Sequence, residues 1–189
     1  MNYKALFHKV IRLLSAPAKA WSEIARQENG PLVNAEYVFP LIGLCGLSMF
    51  VGTFIGGEIS NDVFQIALTR CCSVCVALFC GFFVTAYVLD KFTRRLFGWR
   101  GEHDTMNLFT AYSMTVTFVI YFLDGLFYNA VLHWFLLLYT TVLVYEGAKH
   151  LVRIKEERLV AYTVMATLVV IACPTIIEFI FYKISSILH

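Results

Sequence analysis

Five apolar stretches, each near the roughly 20 residues an α-helix needs to cross a hydrocarbon core, take up most of this 189-residue chain. They lie at about Tyr37–Gly57, Phe64–Leu89, Leu108–Leu126, Tyr128–Tyr145 and Leu159–Tyr182. With 59% hydrophobic and only 15% charged residues, the chain carries more apolar surface than a water-soluble domain of this length can bury. Lipid must be its main solvent. The pattern predicts an all-α polytopic membrane protein with five transmembrane helices, residues 35–189 forming the membrane domain. Residues 1–34 are expected to form N-terminal cytoplasmic, interfacial amphipathic helices, and no length is left over for a soluble catalytic module.

Charge placement sets the orientation. Thirteen of the fifteen Lys and Arg residues fall in three stretches: before the first span, after the second and after the fourth. The other side holds only Arg70 and Lys183. By the positive-inside rule the N-terminus is cytoplasmic and the C-terminus external. Met1–Ser15 carries Lys4, His8, Lys9 and Arg12, so it lacks the unbroken apolar core of a cleavable signal. The first span is expected to direct insertion itself.

Two helical patterns precede that span. In the first, Tyr3, Leu6, Phe7, Val10, Leu13 and Leu14 recur at three- and four-residue spacing opposite the basic positions. This suits a helix lying in the interface, with Lys4, Lys9 and Arg12 on anionic headgroups. A helix packed on the span bundle would show the same periodicity, so both arrangements stay open. Ser15-Ala16-Pro17 opens the second pattern, in which Trp21 is expected to anchor at headgroup level.

Catalytic signatures are absent: there is no Walker-type loop, zinc-type His-Glu-x-x-His, nucleophile elbow or Gly-rich dinucleotide turn. No enzyme activity, cofactor or metal is expected, and the small net charge of +2 gives no sign of nucleic-acid binding. Asp104 is expected to cap a helix. Cys72 and Cys75 form a C-x-x-C in the second span, with Cys71 and Cys80 nearby. Within a lipid-embedded helix and without a second Cys/His pair, they are expected to allow close packing.

Ionisable groups near the outer face are more informative, because charge at membrane depth is costly. Cys71–Leu89 and Leu159–Ile177 are each already long enough to cross, which brings Arg70 and Glu178 to the interface. Between Leu108 and Tyr145, by contrast, there is too little chain for two full crossings and a turn, so Asp124, Asn129 and His133 come at or just inside the outer leaflet. An Arg70–Asp124 pair is expected there, with Glu178, His133 and Asn129 lining the same pocket. Pro174, one turn before Glu178, would loosen the fifth helix. An ordinary exposed loop with solvated charges is the alternative.

Ser15-Ala16-Pro17-Ala18-Lys19-Ala20-Trp21-Ser22-Glu23-Ile24 resembles the S-P-x-x-x-W-x-x-I opening of bacterial Yip-domain proteins, relatives of the eukaryotic Ypt/Rab-interacting membrane proteins. Tyr37-Val38-Phe39-Pro40 is similar to their aromatic-x-x-Pro start. Ala111-Tyr112-Ser113, and the stretch from Tyr139 ending in Tyr145-Glu146-Gly147, follow the family's pattern in order and spacing. Val116 stands where that pattern has a proline after Ser-Met-Thr, which removes the basis for a proline kink. The resemblance implies a multi-pass protein of the bacterial cytoplasmic membrane, with no catalytic residues to carry over. The expected function is a non-enzymatic organiser or adaptor whose partners are the bilayer and other membrane proteins or a second copy. The alternative is a small transporter, channel or lipid-handling protein built on the outer pocket.

Overall fold

The computed structural model of the chain describes residues 3–27, 32–56, 62–127 and 130–188. Those residues form helices and short connections, with no strand among them. First come two short helices, α1 (Tyr3–Ser15) and α2 (Pro17–Gln27), with Pro17 at the first position of α2, where a missing N–H costs nothing. A π-helical turn (Asn34–Val38) runs into α3 (Phe39–Gly56), followed by the long α4 (Val63–Phe97). Next are α5 (His103–Ser113) and α6 (Thr115–Leu126), then α7 (Ala130–Gly147), a second π-helical turn (Ala148–Val152) and α8 (Glu156–Leu188).

Among the described residues, four helical stretches are long and apolar enough to cross a membrane: Asn34–Ile55, Val63–Phe97, His103–Leu126 and Glu156–Phe181. They correspond to the first, second, third and fifth expected spans. The fourth, Tyr128–Tyr145, falls on α7, but Tyr128 and Asn129 lie outside the described residues. Hydropathy ended the second span at Leu89, whereas α4 continues to Phe97. Polarity marks where a chain leaves lipid, not where its backbone hydrogen bonding stops. Past Leu89, Arg94 Nε pairs with Asp90 one turn earlier (2.8 Å), and Gly98, at φ 65°, ends the helix. Asp104 sits in the first turn of α5 rather than at its cap, which Glu102 occupies.

The third span is the centre of the bundle. Every residue from Leu108 to Phe118 is buried. It is also broken, at Met114 (φ −77°, ψ 0°), between α5 and α6. No proline stands here, and the helical bonds from Met114 N–H to the Thr110 carbonyl (2.9 Å) and from Phe118 N–H to the Met114 carbonyl (3.0 Å) carry across the break. Thr115 Oγ1 donates to the Tyr112 carbonyl (2.6 Å), which commits its only proton. Tyr37 must therefore be the donor in its own 2.8 Å bond to Thr115 Oγ1. That bond pins the turn before α3 to the break.

Around this helix, α3 packs on α4 and α6, and α4 packs on α8. The outermost helix, α8, turns Leu159, Tyr162, Ala166 and Val170 inward and leaves Val160, Val164 and Leu168 exposed four residues apart. Such a stripe of bare aliphatic side chains is what a lipid-facing helix presents. Where α3 crosses α6, the two backbones touch. A Cβ on Gly52 would run into the Gly125 carbonyl, and one on Gly125 would lie 2.8 Å from the Met49 nitrogen. Gly52 is therefore used within the chain's own packing. Two of the clustered cysteines pack there too: Gly46 leaves room for the Cys71 and Cys75 sulfurs of α4, while Cys72 is exposed.

Two tests follow from these contacts. Gly52→Ala is expected to destabilise the purified protein by about 1–3 kcal/mol through overpacking. Gly43→Ala, whose Cβ would meet nothing within 4 Å, should leave the melting temperature unchanged or raised. Equal melting of the two variants would remove the backbone crossing from the account. Tyr37→Phe should cost about 1 kcal/mol by deleting one buried hydrogen bond, and close to nothing in a Thr115→Val background, where that bond is already gone.

Candidate functional site

Trp21, expected at the headgroups, is instead fully buried inside the protein. Its ring centroid lies 5.8 Å from that of Phe109 and 6.0 Å from that of Tyr112, both on α5. Tyr112 stacks at 4.7 Å on Tyr37, and Phe109 leads through Tyr162 of α8 to Phe97 of α4. The indole fits because Gly147 has no side chain, since a Cβ there would lie 2.7 Å from Trp21 Cζ2 and 2.8 Å from Phe109 Cε2. Indole chemistry allows either site, headgroup or core, and close packing decides here. The Trp21 ring nitrogen has no hydrogen-bond partner among the described residues, so apolar contact and ring packing hold it. Further bonds tie the N-terminal segment down: Tyr139 Oη donates to the Leu14 carbonyl (2.7 Å), and Asn107 Nδ2 to Asn34 Oδ1 (3.1 Å).

That docking fixes how α1 is presented. Leu6, Val10 and Leu13 are buried against the protein. The other half of the same apolar arc is not covered: Tyr3, Phe7 and Ile11, four residues apart, are 57%, 49% and 62% exposed. Lys4 and His8 are exposed beside it, whereas Lys9 is exposed on the far side of the helix, where it lines the groove between α1 and α2. Arg12 is engaged differently, in an ion pair with Glu23 that ties α1 to α2. Of the four expected anchors, Lys4 is exposed beside the uncovered stripe, Lys9 is exposed on the α2 side, Arg12 braces the helix pair and Trp21 belongs to the core.

At the opposite end of the bundle, Arg70 is exposed on α4, and no ion pair joins it to Asp124 among the described residues. Asp124 on α6 and Glu178 on α8 are both half-buried. What meets Glu178 is Tyr121, whose hydroxyl donates to Glu178 Oε2 at 2.5 Å. Tyr121 lies three residues before Asp124 on α6, on the same side of the helix. The charge pattern did not point to it, although a tyrosine one turn from a carboxylate at the end of an apolar segment was the available signal. Asn129 and the His133 side chain lie outside the described residues. Among the described residues no three His, Cys, Asp or Glu side chains are placed to hold a metal ion.

Trp21, Tyr37, Tyr112 and Gly147 come from four separate short motifs, 126 residues apart at the extremes, and they meet in one buried cluster. The motifs are parts of one packing unit. No curated protein and no solved structure matches the chain. The Yip1 domain, however, matches over residues 11–177, which take in all four motifs. The chain belongs to the Yip1 domain family of multi-pass membrane proteins, which is not a known enzyme family.

Proposed function

We propose that this protein is a non-enzymatic membrane organiser with five spans, a cytoplasmic N-terminus and a docked helix that wedges into one leaflet. The single observation that carries this is the divided apolar arc of α1. A helix that served packing alone would have no use for Tyr3, Phe7 and Ile11 exposed in a row beside Lys4. A helix lying freely on a membrane would not need Leu6, Val10 and Leu13 sealed against protein. Together the two halves describe a helix held by the bundle at a set depth, with one side in the acyl boundary and its basic side at the phosphates. A rigid wedge confined to one leaflet expands that leaflet relative to the other and favours curvature.

The test uses substitutions on the uncovered side, because deleting the segment would also remove Trp21 from the core. In proteoliposomes containing anionic lipid, the wild type is expected to produce tubules or small-diameter vesicles visible by cryo-electron microscopy. Phe7→Glu with Ile11→Glu should abolish this while leaving the melting temperature within a few degrees of wild type, since neither residue packs inside. Unchanged vesicle shape with both proteins would end the wedge proposal.

A second function, transport, is favoured by one observation: the Tyr121–Glu178 hydrogen bond, near Asp124 and one turn after Pro174. Broken helices beside polar groups are a recurring arrangement in transport sites. If that function holds, Glu178→Gln and Asp124→Asn should each lower solute flux into proteoliposomes at least tenfold without altering vesicle shape.

A further inference from the structure

A cavity of about 400 Å³ opens between the connection after α4 and the start of α8. Its walls carry Arg100, Arg153, Lys155 and Arg158, with Trp99 alongside and Glu157 as the one carboxylate. Among the described residues no carboxylate is paired with any of these four cations. Glu156 and Glu157 stand in the first turn of α8, where they offset the positive helix end. Positive-inside residues need only face the right compartment. They have no reason to ring one concavity.

The backbone adds a second observation. Arg153, at φ 57° and ψ 47°, is the one non-glycine residue with positive φ among the described residues. This is the left-handed conformation, which costs an L-residue about 1–2 kcal/mol and which glycine adopts freely. Arg153 is the left-handed C-cap of the second π-helical turn, its N–H donating to the Ala148 carbonyl, and this cap fixes where its guanidinium leaves the backbone. The facing loop is braced as well. Arg94 Nη2 donates to the Gly101 carbonyl (2.9 Å), and the Arg94 guanidinium lies 5.2 Å from the Trp99 ring centroid. Arg94 thereby holds the loop that carries Arg100.

We infer that this cavity binds a phosphate oxyanion, supplied by an anionic phospholipid headgroup or by a free phosphate compound. Arginines present paired N–H donors that match phosphate oxygens, and an indole beside them suits the headgroup level. Leu96 and Val160, next to the cavity walls on α4 and α8, are exposed, so a lipid whose headgroup is held here has apolar surface for its chains. The site stands apart from the α1 wedge and does not depend on it.

The experiment titrates the full-length protein in neutral detergent with short-chain phosphatidylglycerol, short-chain phosphatidylcholine or inorganic phosphate. Retention is read by native mass spectrometry and binding by the melting temperature. Phosphatidylglycerol is expected to bind at least tenfold more tightly than phosphatidylcholine. If inorganic phosphate competes at millimolar concentration, the free compound is the source; if it does not, the lipid is. Arg153→Gly should fold as well as wild type, because glycine suits that backbone, yet lose the preference. Arg100→Gln with Arg158→Gln should lose it too, whereas Arg95→Gln, at the same end but outside the cavity, should keep it. Equal affinity for all three probes would overturn the site. So would retention of the preference by both cavity variants, or an equal loss in Arg95→Gln, which would mean diffuse surface charge.

Discussion

The indole of Trp21 occupies space that exists only because residue 147 is glycine, and the basic end of the molecule is arranged around that contact. Emptying a core tryptophan site typically costs about 3–5 kcal/mol, a large part of the margin by which a domain stays folded. Through it α2 is fixed to α5 and α7, and through the α1–α2 turn and the Arg12–Glu23 pair α1 inherits a fixed pose. An exposed ion pair of this kind contributes at most about 1 kcal/mol. The orientation of α1 is therefore set by packing far more than by charge.

The two ends of the bundle are held by different chemistry. At the basic end, large aromatic rings and a few polar bonds join elements distant in sequence, and the loops there are braced by Arg94, Asn107 and Tyr139. At the other end, α3 and α6 meet backbone to backbone at Gly52 and Gly125. Without a hydrophobic force between helices in lipid, such close approach is how apolar segments gain contact energy. Between the ends, the third span serves both, its α5 half in the aromatic cluster and its α6 half at the glycine crossing.

What the sequence revealed follows from what sequence encodes directly. Apolar length marks bilayer crossings, so four of the five expected spans were legible, as was the gathering of three basic segments at one end. The reach of α4 beyond Leu89 was not, because an Asp90–Arg94 pair sustains a helix without hydropathy. Trp21 was misplaced because its composition signal is the same at a headgroup and in a core, and only Gly147, far along the chain, decides between them. The family pattern named Trp21, Tyr37, Tyr112 and Gly147 but not their meeting. Arg70 drew attention through its sign and depth, yet Tyr121 is the residue that reaches Glu178. A neutral hydroxyl leaves no mark in a charge count.

The contact between Tyr139 and Leu14 spans 125 residues. A ribosome makes Leu14 and Trp21 long before it makes Tyr139 and Gly147, so the first helices emerge with no surface to dock on. Meanwhile their apolar side chains have only the membrane, or a chaperone, to cover them. Closure of the basic end belongs to the last stage of biogenesis, once α7 is in place. A chain cut short before Gly147 would carry its spans and still lack the partner for its own beginning.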